Sequence, residues 1–142
     1  MTPQDYEKSL LVTATWRLAR SNDPNELIAI MATIRNHIFP RPGQIQTYQS
    51  FSEACEDMLR VYPVREAPAL TESALVSYPD GLLAIVDDIY SCRYPDLTAT
   101  STTPGARYFC RASEIVADPS HWLYSIVAGR QPLGTFGSQQ FF

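Results

Sequence analysis

The segment from Asp23 to Pro40 constrains the fold more than any other part of the chain. Asp23 can act as an N-cap, Pro24 suits the first helical position, and Glu26 stands where the acid of a capping box belongs. Apolar side chains then recur at helical spacing and widen into a broad stripe made of Leu27, Ile28, Ala29, Ile30, Met31 and Ile34. A helix that is apolar on most sides needs neighbours on most sides. We therefore expect it at the centre of the fold, ending near residue 38.

Two further helices have recognisable ends. Thr2 can cap the first, with Pro3 at the first helical position and Asp5 as the capping-box acid, and the helical pattern continues to about residue 20. Ser52 is predicted to cap a shorter helix that Pro63 closes. The first half of the chain is therefore predicted to be helical.

The pattern changes from helix to strand along the rest of the chain. Residues 63–80 are expected to be irregular with a turn of helix at 71–75, and another helix is expected over about 80–92. Short strands are predicted at 107–110, at 124–128, and in two pieces at 135–137 and 140–142. Helices followed by a small antiparallel sheet or hairpin indicate an α+β fold. No repeat or boundary divides residues 1–142, which we interpret as a single domain.

Composition argues against several classes of function. The chain has 142 residues, a net charge of -4 and 11 scattered basic residues, so no nucleic acid is expected as a partner. No apolar run is long enough for a membrane span, and the N-terminus has no signal-peptide pattern, so the protein is expected to be cytoplasmic as made. No metal-ligand spacing is present among Cys55, Cys92, Cys110, His37 and His121, so we expect neither a metal nor a cofactor.

The order of several short motifs resembles the SleB-type cell-wall hydrolases. Four segments follow that family's order: 94–96 (Tyr-Pro-Asp), 105–109 (Gly-Ala-Arg-Tyr-Phe), 119–122 (Pro-Ser-His-Trp) and 137–142 (Gly-Ser-Gln-Gln-Phe-Phe). Residues 29–37 resemble the apolar helix, ending in Asn-Arg, that follows the family's active-site helix. The resemblance covers residues 1–38 and 82–142 and implies a lysozyme-like helical domain with a small C-terminal sheet.

The resemblance also implies a reaction, which is cleavage of the glycan strand of peptidoglycan. In that family one glutamate on the first helix protonates the glycosidic oxygen, and an apolar pocket must raise its pKa. Counting back from Asn36 without a gap places this position at Leu18, which can neither donate nor accept a proton. Because a general acid contributes about 10²–10⁴-fold in rate, we expect weak hydrolysis or none, and no catalytic residue.

Glu26 and Glu7 are the nearest acidic alternatives to Leu18. The capping box explains Glu26, which makes it a weak candidate for a displaced acid. Glu7 lies about three turns before Leu18, beside Lys8 and Asp5, and a solvated helix face explains it equally well.

Three residues are candidates for contact with a glycan. The resemblance places Tyr108 and Trp122 near the cleft, and either Gln49 or the segment 50–52 (Ser-Phe-Ser) is a candidate remnant of the family's Gln-Phe-Ser element. Grooves that bind small molecules combine apolar and aromatic surface with a few polar groups, which suits this set. Core packing is the alternative role for both aromatic residues.

The leading hypothesis is a catalytically degenerate SleB-like domain. It would bind peptidoglycan or serve as a structural module, for example in the tail of a bacteriophage or phage-like particle. One alternative is an active glycan hydrolase of the lytic transglycosylase type with a displaced glutamate. Another is a virion assembly protein with no carbohydrate contact, whose protein partner would meet Phe141 and Phe142.

Overall fold

A computed structural model gives the architecture of most of the chain. It describes residues 2–40, 42–65, 80–91, 93–100 and 103–142, and of residues 80–84 it describes the backbone. The helical turn predicted at 71–75 and Cys92 lie outside the described residues.

Helices occupy the first part of the described chain, and a small sheet closes it. The longer helices are α1 (Pro3–Leu18), α2 (Pro24–Ile38), α3 (Phe51–Val61) and α4 (Asp80–Tyr90). They are followed by β1 (Phe109–Cys110), α5 (Ala112–Val116), α6 (Tyr124–Val127), β2 (Gly134–Phe136) and β3 (Gln139–Phe141). The predicted α+β class, with helices first and an antiparallel sheet last, is confirmed.

The apolar helix α2 lies at the centre, as its sequence predicts. Ile30, Met31 and Ile34 are completely buried, and α1, α3 and α4 all pack against α2. The helix ends at Ile38, as predicted, because the following Phe39-Pro40 cannot continue it.

The helix caps follow the sequence signals, with one shift. Thr2 and Asp5 form the predicted capping box, in which each side chain accepts a hydrogen bond from the other residue's backbone N–H. The predicted cap at Ser52 is wrong, because Ser50 caps α3 by accepting from the Glu53 N–H at 3.2 Å. Starting the helix two residues earlier buries Phe51, whose ring stacks on Tyr90 with centroids 4.9 Å apart.

The sheet has the order β1-β3-β2, and both pairings are antiparallel. A two-residue turn, Gly137-Ser138, joins β2 to β3, and Gly137 adopts a φ of 59° that favours glycine. The strand predicted at 124–128 is wrong, because this segment forms α6. Leu123 and Val127 are both buried, which is the i, i+4 spacing of a helix.

The two terminal phenylalanines have different environments. Phe141 is completely buried, with its ring 5.7 Å from Phe109 and 5.6 Å from Phe136. Phe142 is half-buried, and its backbone pairs with that of Tyr108. The predicted protein contact through Phe141 is therefore wrong. Alternate residues of a strand point to opposite faces, so Phe141 faces the core together with Gln139.

Candidate functional site

An open groove gathers several chemically useful side chains. Its volume is about 580 Å³, and we call it the aromatic groove. It is lined by His37, Thr47, Tyr48, Asp57, Met58, Val61, Tyr62, Tyr108 and Trp122. The structure thus brings together Tyr108 and Trp122, two of the three residues that the sequence nominated for glycan contact.

The aromatic wall of the groove is built from three different parts of the chain. Tyr62 follows α3 and stacks on Phe109 with ring centroids 4.5 Å apart. Trp122 lies between α5 and α6, and its ring meets Tyr62 edge-on at 5.1 Å and Tyr108 at 6.4 Å. Trp122 remains 43 % exposed, which is high for an indole that already contacts two other rings. A surface of this kind suits an apolar face of a ligand.

A hydrogen-bonded carboxylate supplies a negative charge to the groove. The Tyr48 hydroxyl donates to Asp57, and Arg60 pairs with the same carboxylate. These two interactions lower the pKa of Asp57, so its side chain is ionised near neutral pH. Asp57 can therefore accept hydrogen bonds from a ligand, but it cannot serve as an acid donor there.

His37 forms a neutral part of the groove. Its Nε2 lies 2.6 Å from the Arg107 carbonyl oxygen, which can only accept, so Nε2 carries the proton. Nδ1 then accepts from the Thr47 hydroxyl at 3.2 Å. Burial lowers the pKa of His37 to about 4, and the nearby Arg107 guanidinium acts in the same direction. The ring holds Tyr48 and Tyr108 in place through contacts of 5.5 and 6.0 Å.

Leu18 lies beside the groove, in a second and smaller space. This inner cavity has a volume of about 110 Å³ and shares Tyr62 with the aromatic groove. It is lined by Leu18, Arg20, Tyr62, Pro63, Phe109, Cys110, Arg111, Glu114, Ile115, His121, Leu123 and Gln139. Leu18 is 1 % exposed.

Glu26 lies outside both spaces and is completely buried. The capping-box explanation is wrong, because the Glu26 carboxylate accepts from the backbone N–H groups of Arg20 and Ser21 at 2.6 and 3.1 Å. Both N–H groups belong to the junction before α2. The N–H and hydroxyl of Ser138, each at 2.7 Å, also donate to it. Burial alone would raise the pKa of Glu26, but these hydrogen bonds lower it. The residue is thus an ionised clamp between the α1–α2 junction and the β2–β3 turn.

Two other predicted positions differ from expectation. Glu7 is half-buried rather than solvated, because the Tyr90 hydroxyl donates to it at 2.9 Å and the Ser52 hydroxyl at 3.5 Å. It connects α1 with its neighbouring helices and does not line the groove. Gln49 is exposed and does not line the groove either, while its backbone N–H donates to Glu53 at 3.0 Å.

Segments that carry the family resemblance meet around Asn36. The Asn36 amide donates to Asp96 at 2.8 Å and to the Ala106 carbonyl at 3.0 Å. A Cβ atom at Gly105 would lie 1.9 Å from the Asp96 carboxylate, so any larger residue there would displace the Asp96 and Asn36 side chains from their hydrogen bond. The hydrogen bond from Asn36 to the Ala106 carbonyl fixes the backbone that leads into β1 and therefore places Tyr108 in the groove.

The sequence did not identify Tyr48, Asp57 or His37 as site residues. Each has a sufficient local explanation, since His37 ends an apolar helix and Asp57 follows two acids near the start of another. Only the packing of α2 against α3 brings them to one groove. Within the described residues no cluster of acidic, histidine or cysteine side chains could hold a metal, and no helix has the length and apolar character to cross a membrane. Cys55 and Cys110 are free and buried, and burial raises the pKa of Cys110 to about 11.

Comparison of the chain with protein-family models, with curated proteins and with solved structures finds no match. The functional interpretation therefore depends on the geometry of the groove and on the residues that resemble the SleB type.

Proposed function

We propose that this domain binds glycan strands of the peptidoglycan type without cleaving them, as a degenerate relative of the SleB-like hydrolases. The observation that carries the proposal is the composition of the aromatic groove. An exposed indole at Trp122 lies in the same groove as the ionised carboxylate of Asp57, and Leu18 is buried in the wall of the neighbouring inner cavity.

The chemistry of a sugar ring matches this composition. The C–H groups on one face of a pyranose form an apolar surface that stacks on aromatic rings, for which Trp122 and Tyr108 are available. The hydroxyl groups of the sugar need hydrogen-bond acceptors. The Asp57 carboxylate provides them, and the hydrogen bond from Tyr48 holds this carboxylate in position. Met58 and Val61 add apolar surface to the same groove. A glycan strand thus meets aromatic, apolar and accepting groups within a groove of about 580 Å³.

The expectation that the domain does not hydrolyse its ligand is based on the acids that the structure describes near the groove. A glycosidase needs a carboxyl group that stays protonated near neutral pH. Asp57 is held ionised by Tyr48 and Arg60, and Glu26 is held ionised outside the groove. Binding without turnover is the function that these residues support.

Glu114 supports a second candidate function, which is slow hydrolysis by a displaced acid. It lines the inner cavity together with Leu18, so a carboxyl group is present near the position of the family's acid. Its side chain is however 53 % exposed and is engaged by the guanidinium groups of Arg20 and Arg111. An acid donor requires an apolar enclosure instead, so we place this candidate second.

The binding proposal is tested by cosedimentation of the protein with purified, insoluble cell walls. Trp122→Ala removes the exposed indole, and Tyr6→Ala removes an aromatic side chain of similar exposure (44 %) on α1 as a matched control. We expect Trp122→Ala to weaken binding about tenfold or more, since stacked aromatic anchors dominate such contacts, and Tyr6→Ala to leave it unchanged. Equal binding by both variants, or no binding by the wild type, would refute the proposal.

A clearing assay on the same cell walls tests the absence of hydrolysis. We expect no clearing by the wild type and weak clearing by Leu18→Glu, which restores a carboxyl group at the position where the resemblance places the family's acid. Clearing by the wild type that is lost in Glu114→Gln would establish the second candidate function instead.

A further inference from the structure

The inner cavity presents more donors than acceptors at its rim. Arg20 and Arg111 both contact the single carboxylate of Glu114, at 3.6 and 3.5 Å. Those distances are long for a charge-assisted hydrogen bond, which is typically about 2.7–2.9 Å. Two positive charges therefore share one negative charge, and most of their N–H groups have no acceptor among the described residues.

Two other polar groups of the cavity also lack an acceptor. Nδ1 of His121 accepts the Leu123 N–H at 3.1 Å, so the proton of the neutral ring is on Nε2 and is available to donate. The Tyr62 hydroxyl is buried, and within the described residues it makes no hydrogen bond of normal geometry, although the Phe109 backbone lies close to it. A buried hydroxyl without a partner is unfavourable and indicates a place where a ligand or water completes the bonding.

Apart from Gln139, the remaining walls of the cavity are apolar. Leu18, Phe109, Ile115 and Leu123 contribute them, and all four are buried. Apolar walls lower the local dielectric, which strengthens the attraction between the arginines and an anionic group that enters. The volume of about 110 Å³ accommodates a short acyl group of a few atoms but no sugar ring.

We propose that the inner cavity binds a carboxylate substituent of the glycan that occupies the aromatic groove. The inference rests on the proposed function, because it assigns one substituent of the same ligand to the neighbouring space. Tyr62 lines both spaces, so a sugar stacked along the groove can direct a short acidic side arm into the cavity. Arg20 and Arg111 become specificity-determining residues, which distinguish acidic glycans from neutral ones of the same backbone.

The test compares two forms of one ligand by isothermal titration calorimetry. Soluble, peptide-free peptidoglycan strands carry a free lactyl carboxylate on every second sugar, and carbodiimide coupling with ammonia converts it to a neutral amide of nearly the same shape. We expect the acidic strands to bind the wild type about tenfold more tightly than the amidated strands, since hydrogen bonds to charged groups are the stronger ones. The difference should shrink as salt is raised.

Variants locate the effect. Arg111→Gln and Arg20→Gln should each reduce the preference for the acidic form, whereas Arg130→Gln, an exposed arginine that lines neither space, should leave it intact. Thermal unfolding verifies that each variant is folded. Two separate arginine variants are used so that the test can still be made if one of them does not fold. Equal binding of acidic and amidated strands would overturn this inference and leave the proposed function standing. No binding of either form would overturn both.

Discussion

Replacing Glu26 with glutamine tests the conclusion that this residue is a structural clamp. Its Oε2 accepts from three N–H donors, which are the backbone of Arg20, the backbone of Ser21 and the Gln139 amide. Its Oε1 accepts from the Ser138 N–H and from the hydroxyls of Ser138 and Ser21. If the side-chain oxygen of a glutamine occupies the Oε2 position, its NH₂ group replaces Oε1. This NH₂ group then faces the donors that Oε1 accepts from in the wild type. The two hydroxyls can rotate to accept, but the Ser138 N–H cannot.

The magnitude follows from that single conflict and from the lost charge. A buried donor left without an acceptor costs about 1–3 kcal/mol, and the retained hydrogen bonds become weaker once the acceptor is neutral. We expect Glu26→Gln to lower the free energy of unfolding by about 3 kcal/mol. Ser138→Ala removes a hydroxyl and leaves the N–H bond in place, so this matched control should cost about 1 kcal/mol.

The same substitution has a defined pH dependence. Because the pKa of Glu26 in the folded protein is lowered from its ordinary value of 4.5, the contribution of its charge is complete above that value. It is lost as the pH falls through the lower folded-state pKa. The difference between wild type and Glu26→Gln should therefore be largest at neutral pH and shrink in acid.

Urea unfolding followed by tryptophan fluorescence at several pH values measures this difference. A cost below about 1 kcal/mol, or a cost that does not change between neutral and acidic pH, would contradict the clamp. Loss of wall clearing at unchanged stability would instead assign Glu26 the catalytic role of a displaced acid.

Further substitutions test the packing around the site. Gly105→Ala should destabilise the protein by about 1–3 kcal/mol, because its Cβ would lie 1.9 Å from the Asp96 carboxylate and displace it from Asn36. Thermal unfolding measures the loss, and an unchanged stability would contradict it. Phe141→Ala should lower the free energy of unfolding by about 3–5 kcal/mol and Phe142→Ala by much less, because Phe141 is completely buried and Phe142 only half-buried. Chemical denaturation measures this contrast, and equal losses would refute it. The pKa of His37 in the folded protein is about 4 against an ordinary 6.5, so the free energy of unfolding should fall as the pH drops from about 6.5 towards 4. His37→Asn should lack this part of the pH dependence, and an unchanged pH dependence would exclude His37 as its cause.

Local signals determined the helical part of the fold. The N-caps at Thr2 and Asp23, the proline at the first helical position after each, and the apolar stripe of α2 fix where those helices begin and which of them is buried. These signals act over one or two turns, so the sequence alone displays them. Where two local patterns compete the sequence is ambiguous, as in the segment 124–128, where short apolar runs fit a strand and a helix equally well.

The site depended on contacts between residues far apart in the chain. The sequence nominated Tyr108 and Trp122, which the structure places together, but Gln49 lies outside the groove and Tyr48, Asp57 and His37 were missed. Glu26 shows the reason most directly. A capping box and a buried clamp both require a glutamate at this position of the sequence. The hydrogen bond from Ser138, 112 residues away in the chain, is part of the clamp and exists only in the folded protein. The chain's local chemistry thus determined its helices, whereas tertiary packing decided which polar groups face one another and what the groove can bind.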